Sequence, residues 1–419
     1  MIIKIKSQNL INNKSKYILD KNYNIKKSNR ALKYIALFFI LQNILFSEIL
    51  KNVNDKYIWV KMESVADTSS IDSVLSFAQK NNIDKIFFQI RGRGDALYES
   101  QLVPKFEGLD SLFDPLNYAL EKTQNTEIEI HAWFNAYILW SKPTLPKDST
   151  HFYYSCPECL ATDINGKSDK DINLNQNHSN NWEGVFLSPL HKRVNSHLLL
   201  VIDELLKTYD IDGLHLDYVR FQDIFYGYNF DGINSFISQY NFNPKDLDRG
   251  IISTRFGFKE HQVDSLQNIW DNYKLDSITD LIKSTKDLIE SNGIDIDLTV
   301  AVKPDIIESK YRWSQDWMLW LKSNLIDYAV VMNYETDINK FNLHNKLIKN
   351  RLNHTNLNKV IIGIPTFNQN SLKASDKIIL SRLNGYENFS IFNYDIEKDT
   401  TNWYVPVINT LNFNLGDVE

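Results

Sequence analysis

Eight short apolar runs alternate with helical patterns along this chain, and this alternation constrains its fold more than any other feature. Such runs predict strands, and strands that alternate with helices predict a parallel sheet with helices outside it. Eight units predict an α/β fold, a closed (β/α)8 barrel of the TIM type, with long loops after strands 3 and 4. An open doubly wound sheet is less favoured, because no GxGxxG follows the first run. The runs are Tyr57–Met62, Lys85–Ile90, Ile128–Ile138, Asp210–Phe221, Asp297–Val302, Asp327–Tyr334, Lys359–Pro365 and Asn388–Tyr394.

Charge is distributed unevenly between the N-terminus and the rest of the chain. Residues 1–47 hold nine Lys or Arg and one acid, Asp20, which leaves 37 basic and 51 acidic residues in the remainder. Nucleic-acid binding requires clustered basic residues, and no basic stripe with interleaved aromatics follows residue 47. The composition therefore argues against nucleic acid as a partner.

The N-terminal segment has the composition of a targeting signal. Four basic residues between Lys26 and Lys33 precede an apolar run from Tyr34 to Leu41, which is short for a membrane span but suits the core of a signal peptide. We therefore predict a leader over residues 1–47 and a single barrel domain over residues 48–419. Export to the periplasm or outside the cell is expected. An uncleaved membrane anchor is the alternative.

The two cysteines, Cys156 and Cys159, form a CxxC pair in a predicted loop. A disulfide or two free thiols are the expected states. A structural zinc site is less favoured, since it needs two further ligands, for which His151 and His178 are the available side chains.

Polar side chains follow the predicted strands at their carboxyl ends, where barrels of this type hold their active sites. Asp217 lies late in the fourth strand, and Glu335 follows the sixth. Glycosidic bond cleavage usually needs two carboxyl groups, one as proton donor and one as nucleophile or base. We predict Asp217 and Glu335 as this pair, with Asp337 as the substitute for Glu335. The candidates for substrate binding at the same end are Arg91, Asp95, His131, Trp133, Asn135, His215, Tyr218 and Asp305.

His131 and His215 also raise the possibility of a metal-dependent hydrolase. Such barrels usually carry paired histidines and further ligands on later strands, and no later His closes strands five to seven here. Neither a catalytic metal nor a cofactor is therefore expected, and both histidines are interpreted as hydrogen-bonding residues.

Several motifs, in the same order, resemble those of the glycosyl hydrolase-like ten family of exported barrels. They include "FFQIRGRGDALYES", "IEIHAWFNAY", "YDIDGLHLDYVRF" and "SQDWMLWLKSNLIDYAVVMNY". The resemblance implies action on glycans, with bacterial cell-wall polysaccharide as the substrate class. It places Asp217 in the active-site cleft and adds Gln315, Asp316 and Tyr334 to Asp95, His131 and Asn135 as site residues.

The chain departs from that family's pattern at two places. Many relatives have a second acid directly after the residue that matches Asp217, where this chain has Tyr218, and Ala136 replaces a frequent proline. The second carboxylate is therefore open. A barrel that binds glycans without cleaving them is the rival function, and a second acid that faces the cleft of Asp217 would favour the enzyme.

Overall fold

A computed structural model describes residues 52–175 and 182–414, so the predicted leader lies outside the described residues. Eight parallel strands close into a barrel in the order β1-β2-β3-β6-β7-β8-β9-β10, with β10 next to β1, which confirms the predicted fold. β4 and β5 form a separate antiparallel pair. The strands are β1 (Lys56–Val60), β2 (Lys85–Arg91), β3 (Glu129–Asn135), β4 (Ile138–Trp140), β5 (Val185–Phe186), β6 (Gly213–Asp217), β7 (Asp297–Val302), β8 (Tyr328–Val331), β9 (Val360–Pro365) and β10 (Asn388–Phe392).

Helices pack around the barrel, and most of them begin at a side-chain cap. Asp114, for example, accepts a hydrogen bond from the Asn117 N–H, and Pro115 stands at the first helical position, as the sequence predicts. The helices are α1 (Thr68–Asn81), α2 (Pro115–Thr123), α3 (Phe152–Ser155), α4 (Lys192–Thr208), α5 (Phe230–Tyr240), α6 (Pro244–Asp248), α7 (Ile251–Phe256), α8 (Glu260–Ser291), α9 (Ile306–Trp313), α10 (Trp317–Lys322), α11 (Ile338–Lys349), α12 (His354–Leu357), α13 (Ser371–Leu383), α14 (Ile396–Thr400) and α15 (Val405–Asn412). Across the described ranges, no helix combines the length and the apolarity that crossing a bilayer requires.

Several predicted strands are shorter in the structure than in the sequence pattern, among them the third and the fourth. The third run ends at Asn135 and resumes as β4, which leaves the barrel to pair with β5. The fourth run ends at Asp217, because Tyr218 adopts a left-handed backbone conformation with φ of 54°. A residue in that conformation cannot continue a strand.

Side chains that point into the barrel lie in layers, and the register of β3 with β6 defines them. His131 pairs with Gly213, Trp133 with His215, and Asn135 with Asp217. Because successive inward residues are two apart, each pair forms one layer, ascending toward the carboxyl end. The interior below the top layer is apolar and aromatic. It contains Tyr57, Trp59, Phe87, Trp133, Val330 and Ile361.

Candidate active site

A cleft of about 990 Å³ lies at the carboxyl ends of the barrel strands. This is the upper end of the size range of small-molecule sites, and it is the end of the barrel where TIM-type enzymes hold their active sites. Acids, bases and aromatic rings all line it. They include Lys61, Glu63, Arg93, Trp133, Asn135, Glu183, Asp217, Tyr218, Arg220, Lys303, Asp305, Glu308, Trp313, Tyr334, Glu335, Lys340 and Phe392.

Asp217 lies at the floor of this cleft, as the last residue of β6. Only 7% of it is exposed, and its Oδ1 accepts a hydrogen bond of 2.6 Å from the Tyr218 N–H. The left-handed turn at Tyr218 directs that N–H back toward the carboxyl. This conformation is unfavourable for a bulky aromatic residue, and such strained residues cluster at active sites, so the turn supports a special role for Asp217.

The surroundings of Asp217 favour its protonated form. Burial raises the pKa of the Asp217 carboxyl above its ordinary value, and the nearby Glu183 carboxylate raises it further. The Tyr218 N–H, Arg220 and Lys303 act in the opposite direction without cancelling the effect of burial. A carboxyl group whose pKa is raised in this way keeps its proton to higher pH than a free carboxyl does, which suits it to act as a proton donor.

Glu183 brings a second carboxylate to the same cleft. It stands just before β5 and forms an ion pair with the buried guanidinium of Arg220. That guanidinium lies over the Tyr218 ring at 5.0 Å and over the Phe186 ring at 5.6 Å, which fixes its position. Glu183 is thus held beside Asp217 by a cation that is itself anchored.

Lys303, a half-buried residue directly after β7, supplies the second cation of the cleft near Asp217. Its ammonium lies 5.0 Å from the centroid of the Trp313 ring, and burial lowers the pKa of Lys303 to about 8. Gln315 fixes its backbone, because Gln315 Oε1 accepts from the Lys303 N–H at 2.9 Å. Gln315 Nε2 also donates to the carbonyls of Ala301 and Val219, so this buried side chain joins β7 to the loop after β6.

Buried polar atoms of the cleft that have no protein hydrogen-bond partner within the described ranges include Trp133 Nε1, Asn135 Oδ1 and the Tyr334 hydroxyl. Buried polar groups without partners are costly, so such atoms in a cleft indicate a polar ligand or water. Trp133 and Asn135 lie in the upper layers of β3, and the Tyr334 ring packs on Phe392 at 5.3 Å. All three therefore remain candidates for substrate binding.

Glu335 lies in the cleft but at its rim. Its Oε1 forms an ion pair of 2.5 Å with the Lys340 ammonium, and Lys377 donates to its backbone carbonyl. The Glu183 carboxylate contributes to the raised pKa of Asp217, while the Glu335 carboxylate is paired with the Lys340 ammonium. Glu183 is therefore a candidate for the second carboxylate beside the predicted Glu335.

Two further acids act as helix caps. Asp337 accepts from the Lys340 N–H and begins α11, and it does not line the cleft, so it is not the substitute carboxylate. Asp305 does line the cleft as predicted, while its Oδ1 accepts from Ile307 N–H and Glu308 N–H to begin α9.

The predicted placement of His131 and His215 at the mouth is wrong. His131 belongs to the bottom layer, four residues or roughly 13 Å below Asn135, and its Nε2 pairs with Glu129 at 3.2 Å. His215 lies in the middle layer, where Nε2 accepts from Trp59 Nε1 at 3.0 Å and the ring stacks on Phe87 at 3.9 Å. Burial lowers the pKa of His215 well below its ordinary value, so it is a neutral core residue.

Arg91 and Asp95, both predicted to bind substrate, support the cleft from behind. The Arg91 guanidinium is fully buried and donates to the backbone carbonyls of Asn135 and Ala136, at the end of β3. Asp95 Oδ1 accepts from the Arg93 N–H at 3.0 Å and so shapes the turn that presents Arg93 to the cleft. Neither side chain lines the cleft, and both prepare the position of residues that do.

Gln315 and Asp316 do not line the cleft either, although the family resemblance implies both as site residues. Both polar atoms of the Gln315 side chain form hydrogen bonds with backbone groups, as described above. Asp316 begins α10 by accepting from the Leu319 N–H and pairs with Lys310 at 2.7 Å.

Cys156 and Cys159 are joined in a disulfide, one of the states that the sequence leaves open. His151, a proposed zinc ligand, instead lies 2.8 Å from the Arg93 carbonyl, and His178 lies outside the described residues. The histidine beside the pair is His191, whose Nδ1 is 3.4 Å from Cys159 Sγ.

A second cluster with metal-ligating groups lies at the amino end of the barrel, away from the cleft. Glu129, His131 and Asp297 come within 4.8 Å of one another through their ligand atoms. The Lys85 ammonium already lies among them, at 3.1 Å from Glu129 and 3.5 Å from Asp297. A metal ion would therefore compete with this ammonium.

Several residues of the cleft were not predicted from the sequence, and three of them carry charges that act on the pKa of Asp217. Lys303 directly follows a predicted strand and Arg220 lies near the end of another, so the rule that selected Asp217 and Asp305 also applied to them. Glu183 lies at the end of no predicted strand, so the sequence gives no indication that it reaches the cleft. It follows a long loop after β3 and reaches the cleft only because β5 pairs with β4.

Comparison with known proteins identifies relatives that are remote in sequence. Glycosyl hydrolase YngK of Bacillus subtilis (strain 168) is 25% identical over 230 residues, which are 52% of this chain and 36% of that protein. Glycosyl hydrolase DigH of Escherichia coli (strain K12) is 24% identical over 168 residues, 36% of this chain and 33% of that protein. The matches thus span about a third of the length of these relatives.

Solved structures share the fold. The glycoside hydrolase domain of PgaB (BpsB) from Bordetella bronchiseptica matches with a TM-score of 0.64 and 11% identity, over 86% of this chain and 99% of that one. The catalytic domain of β-amylase from Paenibacillus polymyxa matches with a TM-score of 0.54 and 10% identity, over 85% and 93%. The sequence profile of the Glycosyl hydrolase-like 10 family matches residues 50–377, and the chain belongs to this family.

Proposed function

We propose that this chain is an exported glycoside hydrolase that cleaves O-glycosidic bonds in a polysaccharide, with bacterial cell-wall glycan as its substrate class. The observation that carries the proposal is the presence of two carboxyl groups, Asp217 and Glu183, in one cleft with different environments. Titratable groups of the same type in contrasting environments are typical of paired acid and base roles. A barrel that only binds glycan has no need of this pair.

Asp217 acts in this proposal as the general acid. Its proton passes to the leaving glycosidic oxygen as the bond to the anomeric carbon breaks. Glu183, paired with Arg220, is the second carboxylate. It either attacks the anomeric carbon or takes a proton from the attacking water, and water ends as the new hydroxyl in both cases.

The remaining cleft residues bind the sugar. Trp133, Asn135 and Tyr334 offer one indole N–H, one amide oxygen and one hydroxyl that the protein leaves without partners in the described ranges. Sugar hydroxyls both donate and accept, so they match this mixture of groups. Aromatic rings at Tyr218 and Trp313 provide flat apolar faces for sugar rings.

The substrate class and the location rest on different support. The relatives YngK and DigH are named glycosyl hydrolases, and the family resemblance implies cell-wall glycan. Export is inferred from the basic and apolar pattern of residues 1–47, and a membrane anchor is the alternative. Mass spectrometry of the mature N-terminus, after expression in a bacterium and fractionation, tests cleavage near Ser47 against retention in the membrane.

The catalytic assignment is tested with peptidoglycan, peptide-free glycan strands and a panel of other polysaccharides, with products read by mass spectrometry. Asp217→Asn and Glu183→Gln are each expected to lower kcat by about 10²-fold to 10⁴-fold, as loss of an acid or base does. Glu335→Gln is the matched control, another carboxylate of the same cleft, and is expected to stay within about tenfold of the parent.

Three outcomes contradict parts of this assignment. A large loss in Glu335→Gln with an active Glu183→Gln would restore Glu335 as the second carboxylate. Binding of glycan without release of any product would leave a glycan-binding barrel. Activity that disappears with a chelator and returns with a divalent metal would indicate a metal-dependent hydrolase.

A further inference from the structure

Another cavity, of about 380 Å³, is lined by segments that also contribute to the catalytic cleft, and it is called the outer groove here. It lies between the segments that follow β3, β6 and β7. Ile164 comes from the first of these segments, Phe225 from the second and Tyr311, on α9, from the third. The same three segments build the catalytic cleft, through Ser141, Arg220 and Trp313. The outer groove therefore shares the carboxyl face of the barrel with the cleft.

Specific contacts hold the three segments in a fixed relationship. The Arg312 guanidinium, next to Tyr311, forms hydrogen bonds of 2.7 and 3.2 Å with both carboxylate oxygens of Asp223. The Phe221 N–H donates to the Trp313 carbonyl at 3.0 Å, and the Ile164 N–H donates to the Phe225 carbonyl at 2.9 Å. Trp313 thus faces the cleft and Tyr311 the outer groove, two residues apart on one short helix.

The lining of the outer groove combines exposed rings with a charged floor. Phe225 is 62% exposed and Tyr311 is 53% exposed, which is a large apolar surface to leave in water. Below them the buried Lys274 ammonium lies 3.6 Å from Asp271, whose Oδ1 also accepts from Gln267 Nε2. Rings that stack, beside carboxylates and amides that hydrogen-bond hydroxyls, are the groups that bind sugars.

We propose that the outer groove binds a distal stretch of the same polysaccharide chain that is cleaved in the catalytic cleft. This inference rests on the proposed function, because the ligand class comes from the cleft. A polysaccharide is favoured over a protein partner because the two cavities are built from the same three segments, and Trp313 and Tyr311 of one short helix face one cavity each, so that one extended chain that crosses α9 can reach both. The groove then gives affinity for long chains without contributing to the chemistry.

The test compares a long and a short substrate on the full-length enzyme. Peptide-free glycan strands from a bacterial cell wall are the long substrate, and the shortest oligosaccharide released from them that is still cleaved is the short one. Phe225→Ala and Tyr311→Ala are each expected to lower kcat/KM on the strands by about threefold to tenfold. The short substrate should be cleaved at an unchanged rate, because it does not reach the groove.

Phe256→Ala is the matched control, since Phe256 is 66% exposed at the end of α7 and lines neither cavity. An equal loss on both substrates would overturn the inference, as would unchanged cleavage of the strands or an equal loss in Phe256→Ala. Thermal melting of every variant identifies misfolding. If the parent cleaves no glycan, the proposed function fails, and affinity electrophoresis of the same variants in a gel that contains the strands still tests the groove.

Discussion

Asn135 and Asp217 are direct register partners on β3 and β6, and both side chains enter the mouth of the barrel in the same layer. Asn135 Nδ2 donates to the Gly92 carbonyl at 3.0 Å, which leaves its Oδ1 without a partner among the described residues. A charge introduced at residue 135 should therefore act directly on the ionisation of the Asp217 carboxyl. This relationship makes the acid role of Asp217 open to test without altering Asp217 itself.

Asn135→Asp is expected to move the alkaline limb of the pH–kcat profile to higher pH. A carboxylate at residue 135 raises the pKa of Asp217, because like charges disfavour ionisation, so the proton donor is retained to higher pH by at least about one unit. The measurement is kcat on peptide-free glycan strands between pH 4 and pH 10. Asn135→Leu adds no charge and is the control. A shift of equal size in Asn135→Leu would attribute the effect to packing and contradict the prediction.

Lys303→Met is expected to move the same limb in the same direction. The Lys303 ammonium favours the ionised form of Asp217, so its removal raises the pKa of Asp217 and keeps the donor protonated to higher pH. Lys303→Arg retains the charge and should leave the limb in place. If the limb stays fixed in Lys303→Met as well, Asp217 is not the group that the alkaline limb reports.

The same lysine predicts a dependence of stability on pH. Its pKa is about 8 in the folded chain and higher when unfolded, so the unfolded state binds more protons between those two values. This group therefore lowers the free energy of unfolding at neutral pH, and the loss diminishes as pH rises through 8. Urea denaturation at pH 7 should show Lys303→Met more stable than the parent by on the order of 3 kcal/mol. The gain should shrink by pH 10, and an equal gain at both values would be incompatible with this explanation.

Gly213→Ala is expected to destabilise the fold by about 1–3 kcal/mol, as overpacking does. An added Cβ at residue 213 would lie 2.1 Å from His131 Nδ1, in the bottom layer of the barrel. The check is a double-mutant cycle with His131→Ala, measured by chemical denaturation, in which the cost of the alanine at 213 should fall once the imidazole is gone. Additive effects would mean that the contact does not limit residue 213.

The disulfide is expected to contribute about 2 kcal/mol through the chain entropy of the short loop it closes. The Cys159 carbonyl accepts a hydrogen bond of 2.8 Å from the Ser188 N–H, shortly after β5. Loss of the disulfide should therefore also loosen the segment around β5, which carries Glu183. Denaturation of the parent with and without a phosphine reductant measures the effect. The Cys156→Ser/Cys159→Ser variant should be insensitive to the reductant, and equal sensitivity of both proteins would refute the assignment.

The barrel was predictable because its evidence is local. Each strand corresponds to a short apolar run in the sequence, and α2 begins at a capping aspartate, Asp114, followed by a proline, Pro115, which is a common sequence signal for a helix start. Asp217, Asn135, Asp305 and Glu335 reach the cleft because each lies at or after the carboxyl end of a strand. Position along a strand is readable from sequence to within a residue or two, which is sufficient for such placements.

Height inside the barrel was harder to predict. His131, His215 and Asp217 all point inward, but only a comparison with the register of β3 and β6 shows that they occupy three different layers. Glu183 could not be predicted for another reason. Glu183 comes to Asp217 by the pairing of β4 with β5, a long-range contact that no local pattern encodes.

The layered interior also limits how this gene can change. Loops at the carboxyl face can gain or lose residues away from Glu183, Arg220 and Lys303, because surface loops tolerate insertions and deletions better than the strands they connect. A single-residue insertion within β6 would rotate Asp217 to the helix-facing side of the sheet, and a two-residue deletion would sink it to the depth of His215. Insertions and deletions should therefore be tolerated around the cleft while the segment from Gly213 to Asp217 keeps its length.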